Sequence, residues 1–236
     1  MTTDQQLIFE QYTTLEDDFL KILKYIPFEE SHYNVWSFEI GNLLLNIGSL
    51  IDSFFKNSLS STTFDPVDEI ENYRDRDQPS MKIFREVYKS RYKIENKRIF
   101  ELRNFTAIQP YKKWEDNLSL DWWKNYTAIK HDRLRNKEKS TLKTTLDALG
   151  GLFLLTIIHV DTIPIFVDYD VIKSGGFTKS YLKSLLIKGE PVAEFGGMPY
   201  YAKTKLFGYI YELKDSAFDD HSCRRILSPS YPGYGW

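Results

Sequence analysis

The chain has 236 residues, of which 42% are hydrophobic and 27% charged, and its net charge is −2, as in an ordinary globular protein. Cys223 is the only cysteine, which excludes an intramolecular disulfide and a metal site with several thiolate ligands. The longest apolar run, residues 149–160, is shorter than the roughly 20 residues that span a membrane, and no stretch resembles a signal peptide, so we expect a cytoplasmic protein.

The first 60 residues predict two amphipathic helices. Apolar residues recur every three or four positions from Leu7 to Ile26, and Pro27 ends the pattern. A second helix is predicted over residues 35–56, with a nearly continuous apolar face that includes Phe38 and suits the most buried helix of the fold. Residues 65–79 are polar and predict a long loop or a frayed helix.

The middle of the chain predicts three more helices. Residues 81–103 alternate apolar and basic side chains and predict a solvated basic helix. After a connector at residues 109–114, Ser119 is the expected N-cap of a short helix that contains Trp122. A leucine-rich helix follows over residues 140–160, and its central Gly150 and Gly151 indicate tight packing.

After Asp161 the sequence pattern changes. Residues 163–169 and 199–213 are rich in Ile, Val, Phe and Tyr and predict strands or a hairpin, with a short helix between them at residues 178–187. From Ser228 onward the chain predicts an irregular, aromatic tail. We therefore predict a mainly α fold with two parts, a helical bundle over residues 1–160 and a small α+β or β extension over residues 161–236.

Charge is distributed unevenly along the chain. Residues 1–80 have a net charge of −10, residues 81–143 of +9 and the remainder of −1. The basic middle third can present a positive face to nucleic acid, or its cations can pair with the acidic first helices inside one bundle. For the first alternative the candidate nucleic-acid-binding residues are basic side chains of this region: Arg91, Lys97, Arg98, Lys124 and Arg135.

The run of residues 122–133 concentrates aromatic and cationic side chains on one short predicted helix. Its sequence includes Trp122, Trp123, Tyr126, Lys130, His131 and Arg133. At about 100° per residue, Trp123, Tyr126, Lys130 and Arg133 fall on one stripe of a helix, and His131 falls on a neighbouring stripe. Metal and cofactor sites are not predicted, because the other three histidines lack ligand spacing and no phosphate-binding loop is present.

These features resemble the HEPN (higher eukaryotes and prokaryotes nucleotide-binding) superfamily. The resemblance covers residues 5–160 and rests on the Trp-Trp…Tyr…Lys-His-Asp-Arg run, on Pro110, Tyr111 and Trp114 before it, and on Ile51, Asp52 and Lys56 in the second helix. It implies a bundle of about five antiparallel helices and a homodimer. Many members are metal-independent ribonucleases of toxin–antitoxin or other prokaryotic defence systems.

The family motif implies a candidate catalytic site on this helix. With His131 on the motif histidine, Tyr126 stands where the motif has an arginine. His131 can transfer a proton near neutral pH, Lys130 or Arg133 can supply a cation for the phosphate, and Tyr126 can donate a hydrogen bond. The expected function is RNA or nucleotide binding with metal-independent ribonuclease activity.

Two other interpretations stay open at this point. On the helix, the indoles and Tyr126 can be core residues, with Lys130 and Arg133 solvated or salt-bridged and His131 capping the helix C-terminus. For the whole chain, the alternative function is a catalytically inactive helical module for protein interaction, with the aromatic tail from Ser228 as its docking element.

Overall fold

A computed structural model describes residues 3–60, 80–173, 177–188, 200–211 and 219–228. These residues are mainly helical and also form one small antiparallel sheet. The α-helices are α1 (Asp4–Ile22), α2 (Phe38–Ser60), α3 (Met81–Tyr92), α4 (Asp121–His131), α5 (Leu142–Ile158), α6 (Ile163–Asp168), α7 (Lys179–Lys188) and α8 (Asp220–Leu227). The strands are β1 (Ile99–Glu101), β2 (Thr106–Ile108), β3 (Ile172–Lys173), β4 (Tyr200–Lys203) and β5 (Phe207–Tyr211).

The chain divides into two compact units, and both are discontinuous in sequence. We call residues 10–98 and 109–152 the helical unit, and residues 1–9, 99–108 and 153–236 the sheet unit. The predicted loop at residues 65–79 and the predicted tail after Ser228 lie outside the described residues.

Aromatic packing holds the helical unit together. The Phe55 ring of α2 stacks on Phe84 of α3 with centroids 4.7 Å apart and meets Tyr88 edge-on at 5.1 Å. The ring of Trp114, in the turn before α4, has its centroid 6.3 Å from that of Phe55, and Trp114 is completely buried. Arg85 and Lys89 of α3 donate hydrogen bonds to backbone carbonyls of residues 114–117, so part of the basic surface of α3 fixes this turn.

The sheet unit is built on strands in the order β2-β1-β5-β4-β3, and every neighbouring pair is antiparallel. Helix α8 packs on it through Cys223, Ile226 and Leu227, which cluster with Phe100 and Ile210. Glu101 is buried at the end of β1, where its carboxylate accepts the backbone N–H groups of residues 103 and 104 at 2.6 and 2.9 Å. Burial raises the pKa of the Glu101 carboxyl against the opposing effect of these two hydrogen bonds.

The structure confirms a mainly helical fold with a small sheet, and it confirms strands within residues 199–213 and a helix near residues 178–187. Other predicted elements were wrong. The helix predicted over residues 81–103 ends at Tyr92, because Lys93 adopts a left-handed conformation and Ile99 and Phe100 are buried in β1. Residues 163–168 form α6 and not a strand, since Pro164 lies in the first helical turn, where its missing N–H costs nothing.

Candidate nucleic-acid interface

The N-terminal half of α4 is a packing element. Trp122 is only 3% exposed, and its indole N–H donates to the carbonyl of Pro110 at 2.9 Å. Tyr111 donates to the carbonyl of Gly151 at 3.2 Å, and the Trp122 ring lies so close to Gly151 that a Cβ there would come within 3.2 Å of it. The interpretation of the indoles as core residues therefore holds for Trp122, whereas Trp123 is half-buried.

Tyr126 also lies in the packing between α4 and α2. Its side chain is 3% exposed, and a Cβ at Gly48 of α2 would lie 2.3–2.5 Å from three atoms of its ring. The Trp123 ring lies 5.0 Å from the Tyr126 ring, and the ammonium of Lys130 lies 5.5 Å from it. These contacts agree with the predicted stripe, but they leave the Tyr126 ring almost no surface for a ligand.

The last turn of α4 carries two neighbouring exposed basic side chains. Lys130 and His131 are exposed, and α4 ends at His131, with Asp132 in an extended conformation. The prediction that Arg133 shares the stripe of Lys130 was therefore wrong, because Arg133 lies beyond the helix. The side chain of Asn136 caps α4 by donating to the carbonyls of Ala128 and Asp132 at 3.1 and 2.9 Å, a role that one interpretation gave to His131.

Arg133 connects this region to the start of α2. It donates to the carbonyl of Phe38 at 2.8 Å, and its guanidinium lies 5.4 Å from the centre of the Phe38 ring. Arg133 thus contacts the backbone and an aromatic ring of α2, and Arg135 pairs with Asp132 of its own connector at 3.4 Å. Neither contact is a salt bridge to the acidic first helices.

The segment before α2 is tied to the connector between α4 and α5. Trp36 forms an isolated antiparallel β-bridge with Thr141, and the backbone N–H of Leu142 donates to the carbonyl of Val35 at 2.8 Å. This pairing brings Lys137 over Trp36, with 5.3 Å between the ammonium and the centre of the indole ring. The Trp36 and Phe38 rings meet edge-on with centroids 6.2 Å apart.

Arg133 and Lys137 thus lie over two neighbouring aromatic rings, and exposed Lys130, His131 and Arg135 are close to them in sequence; we call this group of residues the basic corner. It consists of Lys130, His131, Arg133, Arg135, Lys137, Trp36 and Phe38. Phe38 is 52% exposed, although the pattern of the second helix had predicted it on a buried face. Sequence reasoning missed Trp36, Phe38 and Lys137 as site residues, because the backbone pairing that brings them together joins positions about 100 residues apart.

The other predicted nucleic-acid-binding residues lie elsewhere in the helical unit. Lys124 is exposed in the first half of α4. Arg91 lies on α3 with its guanidinium 5.9 Å from the Tyr92 ring, and Lys97 and Arg98 follow α3 in the half-buried segment before β1. The candidate site that the contacts support is therefore smaller than the basic middle third.

A groove of about 510 Å³ lies on another side of the start of α2. Its walls come from the end of α1, the segment between α1 and α2, and the first turns of α2: Asp18, Lys21, Ile22, Tyr25, Ile26, Ser37, Glu39, Asn42, Leu43 and Asn46. Asp18 pairs with Lys21 at 2.8 Å, and Tyr25 is 87% exposed. In the part of the chain that the structure describes, no group of three or more His, Cys, Asp or Glu side chains is arranged to hold a metal ion.

Comparison with known proteins gives no relative: no family model, no curated protein and no solved structure matches the chain. Among the helices of the described residues, none is both long enough and apolar enough to cross a lipid bilayer.

Proposed function

We propose that the basic corner binds RNA or a nucleotide. The observation that carries this proposal is the half-exposed Phe38 ring, with the Arg133 guanidinium 5.4 Å from its centre and exposed Lys137 over the neighbouring Trp36 ring. Cations bind phosphate, aromatic rings bind bases, and a surface that offers both is suited to nucleic acid.

Electrostatics gives the proposal a measurable signature. Lys130, Arg135 and Lys137 are exposed at the corner. For a single strand, the logarithm of the binding constant falls with the logarithm of salt concentration by about 0.7 for each phosphate that is neutralised. Three phosphate contacts predict a slope of about −2.

Ribonuclease activity is the second part of the proposal. His131 is exposed beside Lys130 and Asp132, so its imidazole is open to a bound phosphodiester. It would take the proton of the 2′-hydroxyl or give one to the leaving 5′-oxygen, and Lys130 would stabilise the phosphate charge. One imidazole per chain serves one of these roles, and the homodimer that we propose would supply the second.

The proposed setting is that of a HEPN-like protein in the cytoplasm of a prokaryote, in a defence or toxin–antitoxin system. Five α-helices among the described residues before Asp161 and the packing of Trp122 on the segment of Pro110 and Tyr111 support a HEPN-like bundle. The buried Tyr126 at the position of the motif arginine means that any catalytic cation must come from the exposed side chains around His131.

The test is RNA binding and cleavage by the full chain at several salt concentrations. Lys130→Ala combined with Lys137→Ala should weaken binding and reduce the salt slope by about 1.4, the share of two phosphate contacts. The matched control is Lys24→Ala combined with Lys82→Ala, which removes two exposed lysines outside the corner. His131→Ala should abolish cleavage without abolishing binding. Binding that is absent at low salt, or equally weakened by both lysine pairs, would overturn the proposal.

The groove favours a second candidate function, a catalytically inactive module that binds a basic amphipathic helix of a partner protein. Ile22, Ile26 and Leu43 provide apolar surface in the groove, while residues 10–46 contain seven acidic side chains against two lysines. Stripes from two neighbouring helices form the kind of groove that a third helix fills, and the carboxylates of Asp18 and Glu39 in its walls favour a cationic one.

Calorimetry with a Lys/Leu peptide of about 18 residues, or five helical turns, tests this alternative. The control peptide has the same composition in an order that gives no apolar face. The alternative predicts that the amphipathic peptide alone binds and that Glu39→Lys weakens it, whereas equal binding of the two peptides would contradict it.

A further inference from the structure

Phe38 differs from the other large apolar residues of α2. Ile40, Leu44, Ile47 and Phe55 of the same helix are completely buried, whereas Phe38 is 52% exposed. About half of the residue remains open to solvent after its contacts with Arg133 and Trp36. Burial of the Phe38 ring therefore contributes little to packing of the helical unit.

The backbone that carries the Phe38 ring is fixed from two directions. Arg133 donates a hydrogen bond to the carbonyl of Phe38 at 2.8 Å. The β-bridge between Trp36 and Thr141 fixes the backbone two residues before Phe38. Ser37 accepts the backbone N–H of Ile40 at 3.1 Å and thereby fixes the first turn of α2. An exposed aromatic ring on a fixed backbone, with Arg133 and Trp36 as neighbours, has less conformational freedom to lose when a ligand stacks on it.

We infer that the Phe38 ring receives an unpaired base of single-stranded RNA, while Lys130, Arg135 and Lys137 contact the flanking phosphates. This inference rests on the proposed function and adds the class of RNA to it. A base can stack on a protein ring only where it is not already stacked and paired within a duplex. Cations alone would bind both single-stranded and duplex RNA. The Phe38 ring is therefore the part of the basic corner that selects single-stranded RNA.

Fluorescence anisotropy with a labelled RNA of about 12 nucleotides, single-stranded or annealed to its complement, tests the inference. The variants are Phe38→Leu, which keeps an apolar side chain but removes the aromatic ring, and Phe38→Tyr, which keeps the ring. Tyr169→Leu is the matched control, because Tyr169 is an aromatic residue of nearly equal exposure, 50%, in the sheet unit.

We expect Phe38→Leu to weaken single-strand binding roughly 5- to 150-fold, the range that stacking of one base contributes. Duplex binding should change little, and Phe38→Tyr and Tyr169→Leu should behave like the unaltered chain. If the chain binds RNA but Phe38→Leu leaves the ratio of single-strand to duplex affinity unchanged, the stacking inference is wrong and the proposed function stands. If the unaltered chain binds neither form at low salt, the proposed function fails and the inference fails with it.

Discussion

The N-terminal half of α4 and the segment that begins at its C-terminal end both combine aromatic rings with cations, but in opposite environments. Trp122 and Tyr126 are almost completely buried, and each packs against a glycine of a neighbouring helix. At the other end, Phe38 is half exposed and Lys130 and His131 are open to solvent. Residue types that suggest ligand binding thus serve packing at one end and are free for binding at the other.

This difference shows what separates a packing aromatic from a binding one. The Trp122 indole has its N–H bonded to a buried carbonyl, and its ring fits a space that Gly151 leaves open. The Phe38 ring instead has the Arg133 guanidinium and the Trp36 indole as neighbours on the surface. Satisfaction of polar atoms and closeness of packing decide between the two roles, and the residue name does not.

The largest effect should come from Trp122→Ala. Removing a buried indole and its hydrogen bond should lower the free energy of unfolding by about 3–5 kcal/mol. Urea denaturation followed by circular dichroism measures this change. Phe38→Ala is the surface counterpart and should cost far less, so equal losses for the two variants would remove the contrast between the two ends of α4.

Gly48→Ala should be the next most harmful change. The added methyl would lie 2.3–2.5 Å from the Tyr126 ring, and overpacking of a buried contact costs about 1–3 kcal/mol of unfolding free energy. Gly41→Ala is the control, because its nearest new neighbour is the Ser140 hydroxyl oxygen at 3.2 Å. A residue without these ring atoms at position 126, as in Tyr126→Ala, should reduce the cost of Gly48→Ala, and thermal denaturation of the double variant checks this coupling.

The sequence was sufficient for the long helices and for the fold class. Periodicity placed α1, α2 and α5 to within a few residues, because long amphipathic or apolar stretches admit few alternatives. It failed where distant contacts decide the structure. Phe100 continues the pattern of a basic helix, yet it lies in a strand, where it pairs with Ala107 of β2 and with Gly208 of β5, more than 100 positions later.

The candidate site was predictable only in part. The cations Lys130, Arg133 and Arg135 stand out in the sequence, because the middle third of the chain is strongly basic. The aromatic rings of the basic corner do not stand out in the sequence. Phe38 at the start of α2 fits the apolar pattern of a buried helix face, and it equally fits a position on the surface. Only the pairing of residues 33–36 with residues 141–143 shows which side the ring faces.

Arg133→Ala should have a smaller structural effect than either core substitution. Loss of its hydrogen bond to the Phe38 carbonyl and of its contact with the ring should cost about 1 kcal/mol of unfolding free energy. Arg135→Ala is the control, because its ion pair with Asp132 lies on the surface and contributes little. Denaturation of both variants at one salt concentration makes the comparison, and equal stabilities would mean that Arg133 does not hold the basic corner in place.

His131→Ala should have the smallest effect on stability, within about 0.5 kcal/mol, since the exposed imidazole is not the group that caps α4. Asn136→Ala removes that cap, with its hydrogen bonds to the carbonyls of Ala128 in the helix and Asp132 just after it, and should cost about 1 kcal/mol. If the two variants lose equal stability, His131 is a structural residue of the helix end and the catalytic proposal loses its basis. If only Asn136→Ala is destabilised while His131→Ala alone stops RNA cleavage, the effect of His131 is chemical, because no loss of folded protein accompanies it.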